Sequence, residues 1–432
     1  MNSSPEIKKE NSATENILLV LDTSYSLEDI TKRGILDSVT CRDLDGYFKH
    51  VYSVHPFASI VTTTAWAKKF GKSDWHILNA SHTFIEGKIG RFAFLRWIFP
   101  LNFLIGQIGL MLNLKRLIQK ENIQVIRVGD MLYLGLFGWL LSRICGIPFV
   151  VRVGGNHDKV FESTGHPIQK RLFLTRSIEK KVERFVFKRA DLVAGANQDN
   201  LNFALANGAR KEFSTIFRYG NLLYKDHFTD PEKRKEGSSL LNDLNISANK
   251  FLLYIGRLEK VKHPDHVVKA LAEVRKNGHD VKALLVGGGT MTDELTKLAA
   301  SLGVEEYVVF AENRDQDWLC RVIPLAAVVM SPHTGRALSE AALGNVSVVA
   351  YDIDWQAELI ENEITGLLVP YPELEKFSEA ATRFLNEPYF AKKMSAVLRI
   401  KAIEMLDPQK LNAHEIEEYE KLKKRVFKSS AN

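Results

Sequence analysis

Cysteine is scarce in this sequence. Three cysteines, Cys41, Cys145 and Cys320, are spread over 432 residues. An odd number at such wide spacing excludes a disulfide framework, and it leaves no pair with the spacing of metal ligands. We therefore expect a protein of a reducing compartment, with the cytoplasm as its location.

The sequence also lacks a secretory signal and a clear membrane-spanning run. Residues 1–15 are polar and of mixed charge, which predicts a disordered leader. The most apolar stretch, Phe92–Leu114, carries one charge, on Arg96, and is interrupted by Pro100, Asn102, Gln107 and Asn113. A spanning helix needs ~20 mainly apolar residues. We favour a buried core helix here, and the alternative is a helix that docks on the inner face of a membrane.

Neither sign of charge dominates. The chain has 58 basic and 52 acidic residues and a net charge of +6, which gives no indication of nucleic-acid binding. The small excess predicts at most a weak attraction to anionic ligands or membranes. At this length, with 45% hydrophobic residues, we expect two domains with a core each.

Short apolar runs alternate with longer amphipathic stretches throughout the chain. This alternation predicts α/β domains with parallel sheets and crossover helices. The expected strands are Ile17–Leu21, Val51–Val54, Ile123–Val128, Phe149–Val153 and Leu192–Ala194, then Phe251–Ile255, Val281–Val286, Tyr307–Phe310, Val328–Met330 and Val346–Ala350. Because residues 226–250 are polar and contain Pro231 and Gly237, we predict a linker there, between domains of residues 16–225 and 251–406. Residues 407–432 form a charged helical tail.

Two cations follow the first strand of the second domain. Arg257 comes directly after Gly256, and Lys262 lies five residues further on, before a helix that opens at Pro264. Since ligands of open α/β sheets bind beyond the carboxyl ends of the strands, these side chains are placed to hold an anion. Two solvated surface cations are the alternative interpretation.

Two further loops follow strands in this domain. The first is a glycine run, Gly287–Gly289, which permits close approach of a ligand at Gly288 but is also typical of a plain turn. The second loop, Ser331–Gly335, opens a helix that carries Glu340. Its free N–H groups suit a diphosphate, whereas Glu340 suits a ribose diol or simply the positive end of the helix dipole.

Taken together, these elements resemble the retaining glycosyltransferases of the glycosyltransferase-B fold, in which two Rossmann-like domains face each other across a cleft. The resemblance covers residues 252–370. It rests on Gly256-Arg257-Leu258 with Lys262, Leu285–Gly289 and Leu338–Ala341, and then on Val348–Asp352, Glu358–Ile360 and Thr365–Pro370.

The resemblance implies a role for each matching residue. Arg257 and Lys262 hold the diphosphate of a UDP- or GDP-sugar, and Glu340 holds the ribose. The donor also contacts the loop and helix start formed by His333, Thr334, Gly335, Arg336, Ala337 and Leu338. Because cations of the protein neutralise the leaving group, no metal or other cofactor is expected.

One departure from the family pattern concerns the donor sugar. The family has a second glutamate eight positions before the one matching Glu340, and that position is Pro332 here. His333 or Thr334 is the expected substitute. Asp352 and Asp354 have the spacing of a metal-binding pair, but they align with a structural or sugar-facing loop of the family.

The first domain resembles the family's acceptor half less closely. Gly34, in the loop after the first strand, matches a glycine that approaches the donor phosphate, although an ordinary turn is as good an interpretation. His157 and Asp158 follow the strand that ends at Val153, where they face a sugar or lie in a loop without function. Arg218 precedes the hinge, where it reaches a phosphate or belongs to a structural turn.

The resemblance therefore predicts a retaining, metal-independent glycosyltransferase that acts on a glycan or lipid-linked acceptor. It also implies that the helical tail of residues 407–432 crosses back to the first domain. Two other functions remain open on the same architecture. One is a nucleotide-sugar epimerase. The other is an inactive subunit that binds sugar nucleotides, which the missing glutamate suggests.

Overall fold

The computed structural model describes residues 16–22, 25–32, 36–58 and 69–430. The N-terminal domain contains eight strands, namely β1 (Ile17–Leu21), β2 (His50–His55), β3 (Asp74–Asn79), β4 (His82–Glu86), β5 (Val125–Val128), β6 (Phe149–Val153), β7 (Leu192–Gly195) and β8 (Ser214–Ile216). Its helices are α1 (Leu27–Lys32), α2 (Asp37–Thr40), α3 (Phe99–Lys120), α4 (Tyr133–Cys145), α5 (His157–Thr164), α6 (Lys170–Phe173), α7 (Arg176–Arg189) and α8 (Gln198–Ala206).

The C-terminal domain contains the six strands β9 (Phe251–Ile255), β10 (Lys282–Val286), β11 (Val308–Ala311), β12 (Val328–Ser331), β13 (Val348–Asp352) and β14 (Leu367–Pro370). Its helices are α9 (Pro264–Lys276), α10 (Thr292–Ser301), α11 (Gln316–Val322), α12 (Arg336–Leu343), α13 (Gln356–Leu359), α14 (Leu374–Asn386) and α15 (Pro388–Leu406), and α16 (Pro408–Ser430) follows.

Each domain is built on one sheet. The first has the order β3-β4-β2-β1-β5-β6-β7-β8 and the second β11-β10-β9-β12-β13-β14. All pairs are parallel except β3 with β4. The central strands are buried on both faces by helices, which explains their continuous runs of Val, Ile and Leu.

The strand order reverses at one point in each sheet. In the first sheet the reversal lies between β1 and β5, and in the second it lies between β9 and β12. Ligands of doubly wound sheets bind in the crevice that such a reversal opens beyond the carboxyl ends of the strands. The topology therefore marks one candidate ligand site in each domain.

Two expectations from the sequence were wrong. Four strands, β3, β4, β8 and β14, were not among the expected strands. For β3 and β4 the reason is that an antiparallel edge hairpin with one exposed strand does not show the buried pattern of the central strands. Residues 226–250 are not a free linker. They form short 3₁₀ turns, and the buried Leu241 and Ile246 belong to the core of the C-terminal domain.

The chain crosses between the domains at residues 217–225 and again at α16. Tyr419 and Leu422 of α16 are buried in the core of the N-terminal domain. Gly220 lies against the end of α15, where a Cβ would overlap the carbonyl oxygen of Leu406. The two crossings are therefore packed tightly against each other.

Candidate active site

Arg257 and Lys262 lie together at the reversal point of the C-terminal sheet. Arg257 is exposed directly beyond β9, and Lys262 is half-buried at the end of the 3₁₀ turn Lys260–Lys262. Within the described part of the chain, neither side chain forms an ion pair with a carboxylate. Burial and the charge of Arg257 lower the pKa of Lys262 to about 8, against a weaker opposing effect of Asp354. Two cations that repel each other make a site that a bound anion would stabilise.

The glycine run packs against this cation loop. Gly287 has a φ of +138°, and a Cβ there would overlap the carbonyl oxygen of Gly256. A Cβ at Gly289 would overlap the carbonyl oxygen of Leu258. These two glycines are therefore required for close packing of the loops after β9 and β10. Gly288 itself has open space around it and can approach a ligand.

The loop after β12 is held in place by buried hydrogen bonds. Ser331 Oγ bonds to Thr334 Oγ1 and donates to Gln356 Oε1 at 2.7 Å. His333 Nδ1 donates to the carbonyl oxygen of Val261 at 2.8 Å, which ties this loop to the cation loop. Thr334 is buried by these contacts, so its role is to fix the loop.

Helix α12 begins at this loop without a side-chain cap. Gly335 occupies the N-cap position and is exposed, and a Cβ added to it would have nothing within 4 Å. The N–H groups of the first turn are thus available to a ligand, and the positive end of the helix dipole adds to the charge of the loop before it. Ala337 is half-buried, and Leu338 packs in the core, so only the backbone of Leu338 belongs to the site.

Glu340 is buried one turn further along α12. Its Oε1 accepts a hydrogen bond from Arg336 Nε at 3.1 Å. Arg336 therefore orients the carboxylate, and the second carboxylate oxygen remains to accept from hydroxyl groups of a ligand. The buried His227 lies within electrostatic reach of Glu340.

Asp354 and His333 lie side by side at the cleft. His333 Nε2 is 3.5 Å from Asp354 Oδ2, and Asp354 has a φ of +59°. Burial raises the pKa of Asp354, but the hydrogen bond and charge of His333 outweigh burial and hold it below its usual range. Asp352, in contrast, is exposed at the end of β13. The pair His333–Asp354 thus lies beside the cation loop, to which His333 is hydrogen-bonded at Val261.

Arg218 forms an ion pair between the domains. Its Nη1 lies 2.7 Å from Glu358 Oε2, and Glu358 Oε1 accepts from the backbone N–H of Gln198 at 2.7 Å. Arg218 and Gln198 belong to the N-terminal side, whereas Glu358 lies on α13. In this arrangement Arg218 holds the two domains together, and its guanidinium is already engaged by a carboxylate.

His157 and Asp158 belong to a separate ionic cluster of the N-terminal domain. His157 Nδ1 donates to Glu183 Oε1 at 2.8 Å, and Arg176 contacts both Glu183, at 2.7 Å, and Asp158, at 3.0 Å. Burial raises the pKa of Asp158, but Lys180 and Arg176 outweigh it, so the carboxyl stays ionised. The helix α5 that carries both residues packs against the turn Lys260–Lys262 across the cleft. They border the cation pair of Arg257 and Lys262 without joining it.

Gly34 lies outside the described residues. One group of side chains in the described part of the chain has the geometry of metal ligands, and it consists of His263, Asp265 and His266, whose ligand atoms lie within 4.8 Å of one another. Asp265 also pairs with Lys269 at 2.8 Å, and His266 bonds to the hydroxyl of Tyr351 at 2.8 Å. Both contacts compete with a metal for these ligands.

Several residues of the cleft were not found from the sequence. Glu358 was seen only as part of a motif, and Gln356, Lys159 and Asp199 were not considered. Lys159 Nζ lies 2.7 Å from Asp199 Oδ1 at the edge of the cleft. No local pattern signals these contacts, because each one joins segments that are distant in the sequence.

Two facing Rossmann-like domains, each on a largely parallel sheet, are the architecture of the glycosyltransferase-B fold. Anabaena Alr3699/HepE, solved in complex with UDP and glucose, shares this fold with a TM-score of 0.70 at 16% identity, over 93% of this chain and 99% of that one. The predicted fold class is confirmed.

Sequence comparison relates the C-terminal domain to one family of enzymes. The family model of the glycosyl transferases group 1 matches residues 241–403. An α-D-kanosaminyltransferase of Streptomyces kanamyceticus is 25% identical over 263 residues, which cover 60% of this chain and 67% of that protein. A D-inositol 3-phosphate glycosyltransferase of Nocardia farcinica is 30% identical over 145 residues, but the match covers 31% of this chain and only 32% of that protein. The C-terminal domain is therefore similar to the group 1 glycosyltransferases over residues 241–403.

Proposed function

We propose that this protein transfers a sugar from a nucleoside diphosphate to an acceptor held by the N-terminal domain. The observation that carries the proposal is the pairing of Arg257 and Lys262 beside the uncapped start of α12. Both cations lack a carboxylate partner among the described residues, and both lie beyond β9. A diphosphate supplies the missing negative charge, and Glu340 lies one helical turn away for the ribose.

The proposed catalysis depends on where negative charge develops during sugar transfer. As the glycosidic bond to the diphosphate breaks, negative charge accumulates on the leaving phosphate. Arg257, Lys262 and the N–H groups of α12 stabilise that charge in a fixed arrangement, which is how preorganised sites accelerate transfer. We propose transfer without a metal, because these groups supply the neutralising charge, and with retention of configuration, which the family resemblance supports.

Helix α3 of the N-terminal domain has an unusual distribution of polar and apolar side chains. In α3, the polar Asn102 and Gln107 face inward, where Asn102 Oδ1 accepts from the N–H groups of Arg91 and Phe92 at 2.7 and 2.9 Å. The outward face of α3 carries an apolar stripe formed by Leu101, Leu104, Ile108 and Leu112, and the exposed Trp97 extends this stripe just before the helix begins. Trp97 is 83% exposed. The expectation of a buried core helix was therefore wrong for the first half of Phe92–Leu114. In this half the polar Asn102 faces the interior and is hydrogen-bonded there, whereas the apolar side chains face outward.

This stripe suits an anionic membrane surface. Arg96 lies over the ring of Trp97 at 4.9 Å, and Lys115 and Arg116 lie on the last turns of the same helix. Apolar residues bordered by cations are typical of helices that lie in a membrane interface. None of the helices in the described part of the chain combines the length and hydropathy that a membrane crossing requires.

A cavity of about 610 Å³ opens beside α3. Phe57, Phe99 and Phe103 line one side, and Lys170 and Arg171 lie on the other. Aromatic walls beside cations match an acceptor with an apolar chain and an anionic head group. We therefore propose a lipid-linked acceptor, which the stripe on α3 would let the enzyme reach at the membrane.

The membrane part is tested by sedimentation with vesicles of phosphatidylcholine and phosphatidylglycerol. The wild type should sediment and be released by salt, since charges in water act over ~8–10 Å. The double substitution Trp97→Ser and Leu101→Ser should remove binding. Tyr389→Ser is the matched control, because Tyr389 is equally exposed but lies on the C-terminal domain. Equal sedimentation of all three proteins would contradict the lipid-linked acceptor.

The donor part is tested by native mass spectrometry with a panel of UDP-, GDP- and ADP-sugars. We expect one of them to be retained and turned over when an acceptor is supplied, with the product in the anomeric configuration of the donor by NMR. Conversion of the donor to an epimer without acceptor would favour the epimerase. Retention without any product over a broad acceptor panel would favour the inactive binding subunit.

A further inference from the structure

A second cavity carries an excess of buried positive charge. It has a volume of about 120 Å³ and lies at the carboxyl ends of β1, β5 and β6 in the N-terminal domain. Asp22 and Gly129 directly follow β1 and β5, the two strands between which the sheet order reverses. This is the place where doubly wound sheets bind ligands, and it lies in the domain that does not hold the donor.

Three arginines line this cavity, and two have carboxylate partners. Arg42 pairs with Asp22 at 2.5 Å, and Arg127 pairs with Glu415 of α16 at 2.8 Å. The third is Arg152, which shares a face of the sheet with Arg127 because both positions alternate with residues of the opposite core. Among the described residues, three guanidinium groups against two carboxylates leave one positive charge unbalanced.

Arg152 carries the unbalanced charge. It is 8% exposed, and its Nη2 donates to the carbonyl oxygens of Phe217 and Arg218 at 3.0 and 3.2 Å. Its guanidinium also lies over the ring of Tyr219, 5.1 Å from the centroid. Among the described residues, no carboxylate contacts Arg152, and its buried Nε has no hydrogen-bond partner. A buried cation with an unused donor is costly unless an anion completes the site.

The size of the cavity limits the anion. A cavity of about 120 Å³ has room for a few water molecules or for one tetrahedral oxyanion. Guanidinium groups bind phosphate oxygens through paired hydrogen bonds. We propose that this cavity binds a phosphate group, either free inorganic phosphate or the phosphate monoester of a larger molecule.

The cavity is in contact with the segment that connects the two domains. Tyr219 and Leu222, which line the cavity, lie in the segment that crosses between the domains. Tyr219 is also within electrostatic reach of Asp354 and Arg336 of the C-terminal domain. A phosphate that contacts Arg152 would therefore stabilise the crossing segment, and it should raise the melting temperature of the whole protein.

The test is calorimetric titration of the full chain with inorganic phosphate and, separately, with glycerol 3-phosphate, in chloride-free buffer. Saturating UDP is present, so that the donor site is filled. If UDP itself does not bind, the proposed function fails, and the titration is repeated without UDP on the Arg257→Ala variant. The two proposals can thus fail separately.

We expect binding of at least one probe, with a rise in melting temperature. Arg152→Gln should weaken the binding of that probe about tenfold or more, whereas Arg152→Lys should retain part of the affinity. Arg143→Gln, which changes an exposed arginine of the same domain, should bind like the wild type. Tighter binding of inorganic phosphate would assign the site to the free anion, and tighter binding of glycerol 3-phosphate would assign it to a phosphate monoester.

Absence of binding by the wild type, or unchanged affinity in Arg152→Gln, would overturn the proposal. If Arg152→Gln does not fold, Leu222→Phe decides, because it narrows the cavity and removes no charge. Weakened phosphate binding in Leu222→Phe would support the site, and unchanged binding would refute it.

Discussion

Raising the pH from 7 to 9 should weaken the binding of UDP about tenfold, because Lys262 loses its proton in this range. Burial and Arg257 lower its pKa to about 8 in the free protein. At that pKa, about 90% of the lysine is charged at pH 7 and about 10% at pH 9. The phosphate groups of UDP have no such change, since a terminal phosphate with a second pKa near ~6 is ionised throughout.

The direction and the size of this pH effect both follow from the surroundings of Lys262. A pKa lowered by burial means that the charged form is disfavoured until an anion arrives, so affinity is full below pH 7 and is lost as the pH rises through 8. One charge-assisted hydrogen bond contributes ~1.5–3 kcal/mol, or about 10- to 150-fold in affinity, so a tenfold loss lies within what Lys262 can supply.

Isothermal titration of UDP at pH 7, 8 and 9 measures the effect. Lys262→Arg should remove the pH dependence, because its guanidinium stays charged. Lys260→Ala is the matched control, since Lys260 is exposed in the same turn and should keep the wild-type profile. An affinity that does not change between pH 7 and 9, or an equal slope in Lys262→Arg, would refute the role given to Lys262.

Three further predictions concern the other parts of the site. Glu340→Gln should raise the donor KM about tenfold with little change in melting temperature, and an unchanged KM would leave Glu340 as a residue of the helix dipole only. Arg218→Ala should lower the transfer rate several-fold but not the affinity for UDP, because Arg218 pairs with Glu358 across the cleft. A loss of UDP affinity would instead make Arg218 a phosphate ligand. Activity should survive EDTA, and a loss that Mg²⁺ or Mn²⁺ restores would contradict neutralisation by Arg257 and Lys262.

Much of the C-terminal domain could be predicted from the sequence. Its strands β9, β10 and β12 are short apolar runs that end in glycine or in a small-residue loop, so the chain order alone places Arg257 and Gly288 at one edge of the sheet. The glycines at 287 and 289 are explained by close packing against the backbone of Gly256 and Leu258. Local sequence is sufficient here because each contact lies next to the strand that positions it.

The features of the fold and of the site that could not be predicted depend on contacts between segments distant in the sequence. The outward apolar face of α3 could not be seen, because apolar residues normally predict burial and the inward role of Asn102 and Gln107 depends on loops far away. Glu358 reaches Arg218 over 140 positions of sequence, and Arg127 reaches Glu415 over 288. Such pairs have no local pattern, since they exist only when both domains and the crossing helix are assembled.

The most direct test of the donor site is the affinity of the full chain for UDP and GDP, measured side by side with Arg257→Ala. We predict that one nucleotide binds the wild type and that Arg257→Ala binds it about 10- to 150-fold more weakly. The melting temperature without ligand should be unchanged in this variant, because Arg257 is exposed. Wild-type affinity in Arg257→Ala would contradict the assignment of the donor diphosphate to Arg257 and Lys262.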